Sequence, residues 1–227
     1  MASWMVHLRI ADKLLECLEG ISETEFVVGN IAPDSGVPNE DWSKYFPPSE
    51  VSHFKVPGSN EKNIDIGKFV NQYFTEEQQK GYTREEYSFF LGYLTHLLTD
   101  VEWVERVFRP SKNKHRAEYE KDKDAAIWKF KGDWYDLDFL YLKKHPDFRS
   151  FCIYENAVGF ENCYMDIFSR DAFDNRRAYI TGWYREGRDN LEREYSYLTE
   201  EQAEQFVENA VHVILEKIKL YSPTSRC

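Results

Sequence analysis

The sequence predicts an all-α protein: a multi-helix bundle with one long irregular segment after its second helix. Three observations carry this expectation. Apolar residues recur at helical spacing along most of the chain, Ser or Thr capping pairs stand at the heads of those stretches, and no stretch shows convincing strand alternation. The 227 residues contain no internal repeat and no Gly/Ser linker, which favours one domain over residues 1–227. Hydrophobic residues at 42% suffice for a sizeable core, and charged residues at 30% for its solvated outside, so a disordered chain is excluded. The 16 Phe, 15 Tyr and 6 Trp are read mainly as filler for the wide gaps between helices, with some free to line a pocket.

Taken in order, Ser3 is placed to cap a first helix running to about Glu19, with Gly20 as its terminator. Trp4, Leu8, Ala11, Leu15 and Leu18 share one face of it, and His7 sits at the edge of that face. Ser22 with Glu25 reads as a capping box for a short second helix ending before Pro33. From Pro33 to Asn63 the text becomes turn chemistry: Asp34-Ser35-Gly36, Pro38-Asn39, Pro47-Pro48 and Pro57-Gly58-Ser59-Asn60. Trp42, Tyr45, Phe46, Val51 and Phe54 within it predict a segment that packs rather than dangles. Helical periodicity returns over Ile64 to Tyr73. Thr83 and Glu86 then head the strongest element, read through Phe108 and closed by Pro110. Its middle, Phe89 to Leu98, is apolar nearly all round, the pattern of a helix buried on every side. A charged stretch from Lys112 to Asp124 follows. Helices are then expected around Trp134 to Lys143, Asp171 to Glu194 and Glu201 to Tyr221, the last capped by Thr199 with Gln202.

A formal net charge of -11 opposes binding to duplex nucleic acid or anionic lipid, and no Lys/Arg-rich run offsets it. It does not oppose a phosphoester substrate, because a bound cation can recruit phosphate locally. No apolar run is long enough to span a bilayer or to serve as a signal peptide, Arg9, Asp12 and Lys13 interrupting the first one. Cys17, Cys152, Cys163 and Cys227 form no C-x-x-C pair. A cytoplasmic protein is the expectation.

A histidine and an aspartate in the buried helix need an explanation. His96 and Asp100, four residues apart, share one helix face and can point at one ion, or form a buried hydrogen-bonded pair. His7, Asp34 after Pro33, and His53 between Val51 and Phe54 each have a structural reading alone. Together, imidazole and carboxylate are the donors that zinc, iron or manganese takes. Asp136 and Asp138 are read as first-turn acids favoured by the helix dipole, with a second metal site as the alternative. His145 is read as a surface residue at a helix end. Arg176, Arg177, Arg185 and Arg188 are read as salt-bridged, with a phosphate clamp as the alternative.

The local text around the five residues is Ser3-Trp4-Met5-Val6-His7, Gly29-Asn30-Ile31-Ala32-Pro33-Asp34, Ser52-His53-Phe54, and Gly92-Tyr93-Leu94-Thr95-His96-Leu97-Leu98-Thr99-Asp100. This ordered set resembles the zinc-dependent phospholipase C family, whose relatives include single-strand nucleases. The resemblance covers roughly the first half of the chain and implies an all-helical metal-binding domain. It implies that Asp34, His53, His96 and Asp100 hold a first ion, while Asp100 and His7 reach a second. Asp34 and Asp100 are then the catalytic carboxylates. Family members also use an N-terminal Trp amine and a further His with a His-x-x-x-Glu pair. Here Trp4 follows Met-Ala-Ser, His115 and Glu118 have the wrong spacing, and His212-x-x-x-Glu216 lies far downstream. One or two divalent ions are therefore expected, Zn2+ first, with Fe or Mn as alternatives. The implied activity is metal-dependent hydrolysis of a small phosphoester (a phosphodiester, phospholipid head group or nucleotide) by metal-bound hydroxide. The alternatives are a non-catalytic metal-binding protein and a helical interaction module.

Overall fold

The computed structural model describes residues 1–41, 43–58 and 63–222, so Trp42, the Ser59-Asn60 turn and Cys227 lie outside the described residues. The architecture is all-α, as expected. Helix α1 (Trp4–Leu15) is followed by α2 (Glu23–Ile31), a 3-10 turn (Ala32–Asp34), strands β1 (Val37–Pro38) and β2 (Tyr45–Phe46), and α3 (Ser49–Ser52). Then come α4 (Ile66–Tyr73), α5 (Glu76–Gly81), α6 (Arg84–Trp103), a π-helical turn (Val104–Phe108), α7 (Arg109–Lys114) and α8 (Arg116–Lys121). The remaining elements are α9 (Lys123–Lys144), α10 (Arg149–Asn156), α11 (Ala172–Arg185) and α12 (Glu200–Tyr221).

The long helix α6 forms the axis of the bundle. Thr83 and Glu86 close its capping box, and every residue from Ser88 to Asp100 is buried. Its Thr95 and Thr99 hydroxyls donate to Leu91 and Thr95 carbonyls, which satisfies them within the helix. Helix α2 packs most extensively on it, and glycine makes that possible. A Cβ on Gly92 would lie 2.1 Å from the Phe26 carbonyl oxygen, and one on Gly29 would lie 2.2 Å from that of Phe89. Helix α1 packs against α2, α6, α10 and α12. At the far end of α6, Trp103 meets Trp134 and Phe206 edge-on, the gap-filling role expected of the aromatics.

Several sequence expectations are corrected. Ser3 does not cap α1 with its side chain but donates to Asp138, 2.7 Å away. Ser22 makes no side-chain cap either; its hydroxyl turns to Glu25 while its N–H is taken by the Ser88 hydroxyl. Pro110 does not close the α6 run. The wide turn at Val104–Phe108 places it at the head of α7, where a missing N–H is tolerated. The irregular segment holds a two-residue antiparallel ladder, Val37 opposite Phe46 and Pro38 opposite Tyr45, too short for alternation to register. Within it Phe54 packs on Phe69, Tyr73 and Tyr93, whereas Tyr45, Phe46 and Val51 are exposed. Asp136 and Asp138 are not first-turn residues, since α9 begins eleven residues before Trp134. Asp136 pairs with Arg188 and Arg193, and Asp138 is buried between Ser3 and Tyr184. His145 is exposed, in keeping with its surface reading, and His212 is exposed on α12. No described helix is long and apolar enough to cross a membrane.

Candidate metal centre

Four separate elements deliver the five candidate residues to one spot. His7 comes from the second turn of α1, Asp34 from the end of the 3-10 turn, His53 from just after α3, and His96 with Asp100 from the centre of α6. His53 Nε2 lies 3.2 Å from His96 Nε2, 3.2 Å from Asp34 Oδ1 and 3.8 Å from Asp100 Oδ2. His96 Nε2 is 3.6 Å from Asp100 Oδ2, and His7 Nε2 is 3.5 Å from Asp100 Oδ1. The rings of His7 and His96 stack 3.8 Å apart. Donor atoms of His7, His96 and Asp100 lie within 4.8 Å of one another, as do those of Asp34, His53 and His96, so His96 belongs to both groups.

The surroundings fix which ring nitrogens face inward. His96 Nδ1 lies 2.7 Å from the Asn30 carbonyl oxygen, which can only accept, so that nitrogen carries the proton and Nε2 presents its lone pair. The glycine-mediated contact of α2 with α6 is what brings the Asn30 carbonyl there. His53 Nδ1 faces the Ser52 hydroxyl at 2.9 Å, while Tyr93 donates to the Ser52 carbonyl and holds the end of α3. Asp100 Oδ1 accepts from the Ala2 backbone N–H at 2.8 Å.

Protons alone do not satisfy this cluster. Both ring nitrogens of His7 and Asp100 Oδ2 are buried without a hydrogen-bond partner. Unmade bonds of that kind are costly inside a protein, above all for a charged group. Burial, and then the neighbouring His96, pushes His7 down to about 4, so its imidazole is neutral and free to ligate. Burial would raise Asp100, but the imidazoles of His7 and His96 outweigh it and hold the carboxyl well below its ordinary range. Asp34 is lowered likewise against its burial, by the hydrogen bond to His53 and the charge of His96. His96 itself is raised despite its burial, because Asp100 and Asp34 favour a positive charge at that point. Ionised carboxylates and inward-facing lone pairs around a place that favours positive charge are the donor set of a divalent cation, and the orphaned atoms fit one. The ions themselves are not part of the structure, which holds protein alone.

A cavity of about 460 Å³ opens onto one side of the cluster and is lined by Asp34 and His53. Its wall carries Trp4, Tyr135, Tyr179, Trp183 and Arg176. Trp4 meets Tyr179 and Trp183 edge-on at 6.0 and 5.7 Å, and Trp183 meets Tyr135 at 5.6 Å. Burial, with Asp138 and Asp34 nearby, pushes Tyr135 up to about 12, so it lines the cavity as a neutral phenol.

Sequence reading found the inward-facing residues but not this wall. Trp4 was legible only as a core-face residue, and the Asn30 carbonyl and Ala2 N–H left no side-chain signal. Three of the four arginines are paired as expected: Arg177 with Asp174, Arg185 with Glu155 and Arg188 with Asp136. Arg176 departs from that expectation. It is buried and, among the described residues, within ion-pair reach of no carboxylate; its recorded hydrogen bond goes to the Gly36 carbonyl. His115 lies away from the cluster, beside Glu118, Phe130 and Tyr197.

Residues 6–170, well over half of the chain, match the family model described as zinc dependent phospholipase C. A portal protein of Acyrthosiphon pisum secondary endosymbiont phage 1 is 26% identical over 132 residues, which make up 54% of this chain and 18% of that protein. The chain thus spans less than a fifth of that relative's length. No solved structure matches the chain.

Proposed function

This chain belongs to the zinc-dependent phospholipase C family, and from that premise we propose that it is a metal-dependent hydrolase of small phosphoesters. The observation that carries the reading is the set of buried, unsatisfied donors at His7 and Asp100, next to a cavity lined by Asp34 and His53. We assign Asp34, His53, His96, Asp100 and His7 as the residues that hold one or two Zn2+ ions, with residues 1–227 as one helical metal-binding domain. Zinc, when bound, supplies Lewis acidity and makes a water nucleophilic near neutral pH.

The protein's own part is to orient and to exclude. The Asn30 carbonyl and the Ser52 hydroxyl fix the rings of His96 and His53, so their Nε2 atoms face inward without searching rotamers. Asp34 has the one partly exposed side chain of the five, at 19%, and stands between the cluster and the cavity. It is therefore the carboxylate we assign to meet the substrate at the mouth of the cluster. The aromatic wall keeps the remainder of a substrate out of bulk water. A purely structural metal site would be a closed shell; the cavity at Asp34 and His53 favours the hydrolase. Phospholipid head groups and nucleotides are both within the proposed substrate class. The cytoplasm is the proposed location, supported by free Cys17, Cys152 and Cys163.

The test is metal content per chain by mass spectrometry, on wild type and on His96→Ala purified identically, followed by a screen of phosphomonoesters and phosphodiesters. One or two equivalents, lost in the variant, with chelator-sensitive hydrolysis, is the expected result. A wild-type protein that stays empty and inactive after addition of zinc, iron or manganese overturns the proposal.

A further inference from the structure

Two arginines are buried among the described residues, and their surroundings differ. Arg9, 6% exposed, is paired with Glu204. Arg176, 8% exposed, lines the cavity beside the metal cluster and is within ion-pair reach of no described carboxylate. A buried cation without a counter-ion is unfavourable, and proteins carry one where something else completes it. The faces of Tyr179 and Trp4, 5.5 and 6.0 Å from the guanidinium carbon, supply part of that. The Gly36 carbonyl accepts one hydrogen bond from Nη2 at 2.6 Å.

Holding Gly36 does not require this group. A neutral amide would satisfy a carbonyl, whereas a guanidinium is a five-donor fork matched to the paired oxygens of a phosphate. The position fits as well: Gly36 is two residues beyond Asp34, and both line the cavity with Arg176. On a chain with a formal charge of -11, a buried arginine in a cavity that Lys131 also lines is a feature that selects for an anion.

We propose that Arg176 is the substrate-binding residue that receives the anionic oxygens of the phosphoester, with the substrate's apolar portion against Trp4, Tyr179 and Trp183. This rests on the phosphoester reading above and narrows it to esters that keep a negative charge beside an apolar group. Neutral esters of the same shape are disfavoured, because they leave the guanidinium unpaired.

The probe is inorganic phosphate, titrated by calorimetry into wild type and R176Q, each zinc-loaded and chelator-treated. The expected result is binding weakened about 10- to 100-fold in R176Q, the range for one charge-assisted contact, at unchanged zinc content. Equal phosphate affinity in the two proteins overturns the assignment and reduces Arg176 to a clamp on Gly36. The chelator-treated pair separates the two readings: a wild type that takes up no zinc defeats the metal site, while phosphate binding still decides Arg176. Should R176Q fail to fold, crystals of the zinc-loaded wild type soaked in tungstate decide. An anion within hydrogen-bond distance of the guanidinium supports the proposal, and an anion in the cavity away from it overturns it.

Discussion

Gly92→Ala tests whether the contact of α2 with α6 is what orients the candidate metal centre. The added methyl carbon would lie 2.1 Å from the Phe26 carbonyl oxygen and 2.9 Å from the Asn30 nitrogen, both backbone atoms that cannot rotate away. Restoring ordinary contact at 3.4 Å requires the helices to part locally by about 1.3 Å. The Asn30 carbonyl moves with α2. Its 2.7 Å contact with His96 Nδ1 would open to about 4 Å, beyond hydrogen-bonding range. Overpacking costs about 1–3 kcal/mol and the lost bond about 1 kcal/mol, so a destabilisation of about 2–4 kcal/mol is expected. Freed from its second partner, His96 should bind zinc about 10- to 100-fold more weakly. Urea denaturation of the chelator-treated protein measures the first quantity, and competition with a zinc chelator the second. Gly132→Ala is the control: it sits within α9 with open space around its Cβ position, and should stabilise by about 0.5–1 kcal/mol. A Gly92→Ala protein within about 0.5 kcal/mol of wild type, with unchanged zinc affinity, would refute the reasoning.

Three further outcomes are expected. Because His96 belongs to both donor groups and His7 to one, His7→Ala should lose part of the bound metal and His96→Ala all of it; equal losses would show a single site. Removing zinc with EDTA should lower the melting temperature by about 5–10 °C, the effect of ligand at about 100 times Kd on a chain of this size; an unchanged melt would mean no ion holds the cluster together. Burial, working against hydrogen bonds from Ser3 and Tyr184, pushes Asp138 up to about 7 from an ordinary 3.8. The folded state therefore holds a proton that the unfolded chain has released, and the contribution of Asp138 to stability should fall as pH rises from about 4 to about 7, by about 4 kcal/mol at most. It is opposed by the lowered His7, whose contribution rises with pH over much of the same window. In urea titrations at pH 5 and pH 8, Asp138→Asn should lack the Asp138 contribution and so shift its pH slope toward greater stability at the higher pH; a slope matching wild type would remove Asp138 as a cause.

The parts of the molecule that were legible in the sequence are those where pattern and position coincide. Thr83 with Glu86 and Thr199 with Gln202 head their helices as capping boxes because a side chain and a backbone N–H three residues apart need nothing from the rest of the chain. His96 and Asp100 were visible because a fully apolar helix makes a polar pair conspicuous. Ser3 misled because a distant group, Asp138, takes its hydroxyl, and Ser22 because its hydroxyl turns to the Glu25 carboxylate while the distant Ser88 takes its N–H. Helix α10 was missed because it is short and held by packing on α1 and α2 rather than by periodicity. Helix α5 was missed, although Thr75 with Gln78 heads it as a capping box, because its six residues bury no side chain and so carry no apolar pattern. The cavity wall could not be foreseen, since Trp4 meets Tyr179 and Trp183 only after α1 and α11 are brought together across most of the chain.

The wall of the cavity has a further consequence when set beside the stretch shared with the family. His7, Asp34, His53, His96 and Asp100 all fall within residues 6–170, whereas Trp4 precedes that stretch and Arg176, Tyr179 and Trp183 follow it. Four of the side chains that wall the cavity thus lie outside the matched stretch, while Tyr135 lies within it. Under the proposed function, substitutions in the flanks would change which ester is accepted without touching the five candidate ligands. A fragment trimmed to the shared stretch would keep the five candidate ligands and lose Trp4, Arg176, Tyr179 and Trp183 from the cavity wall.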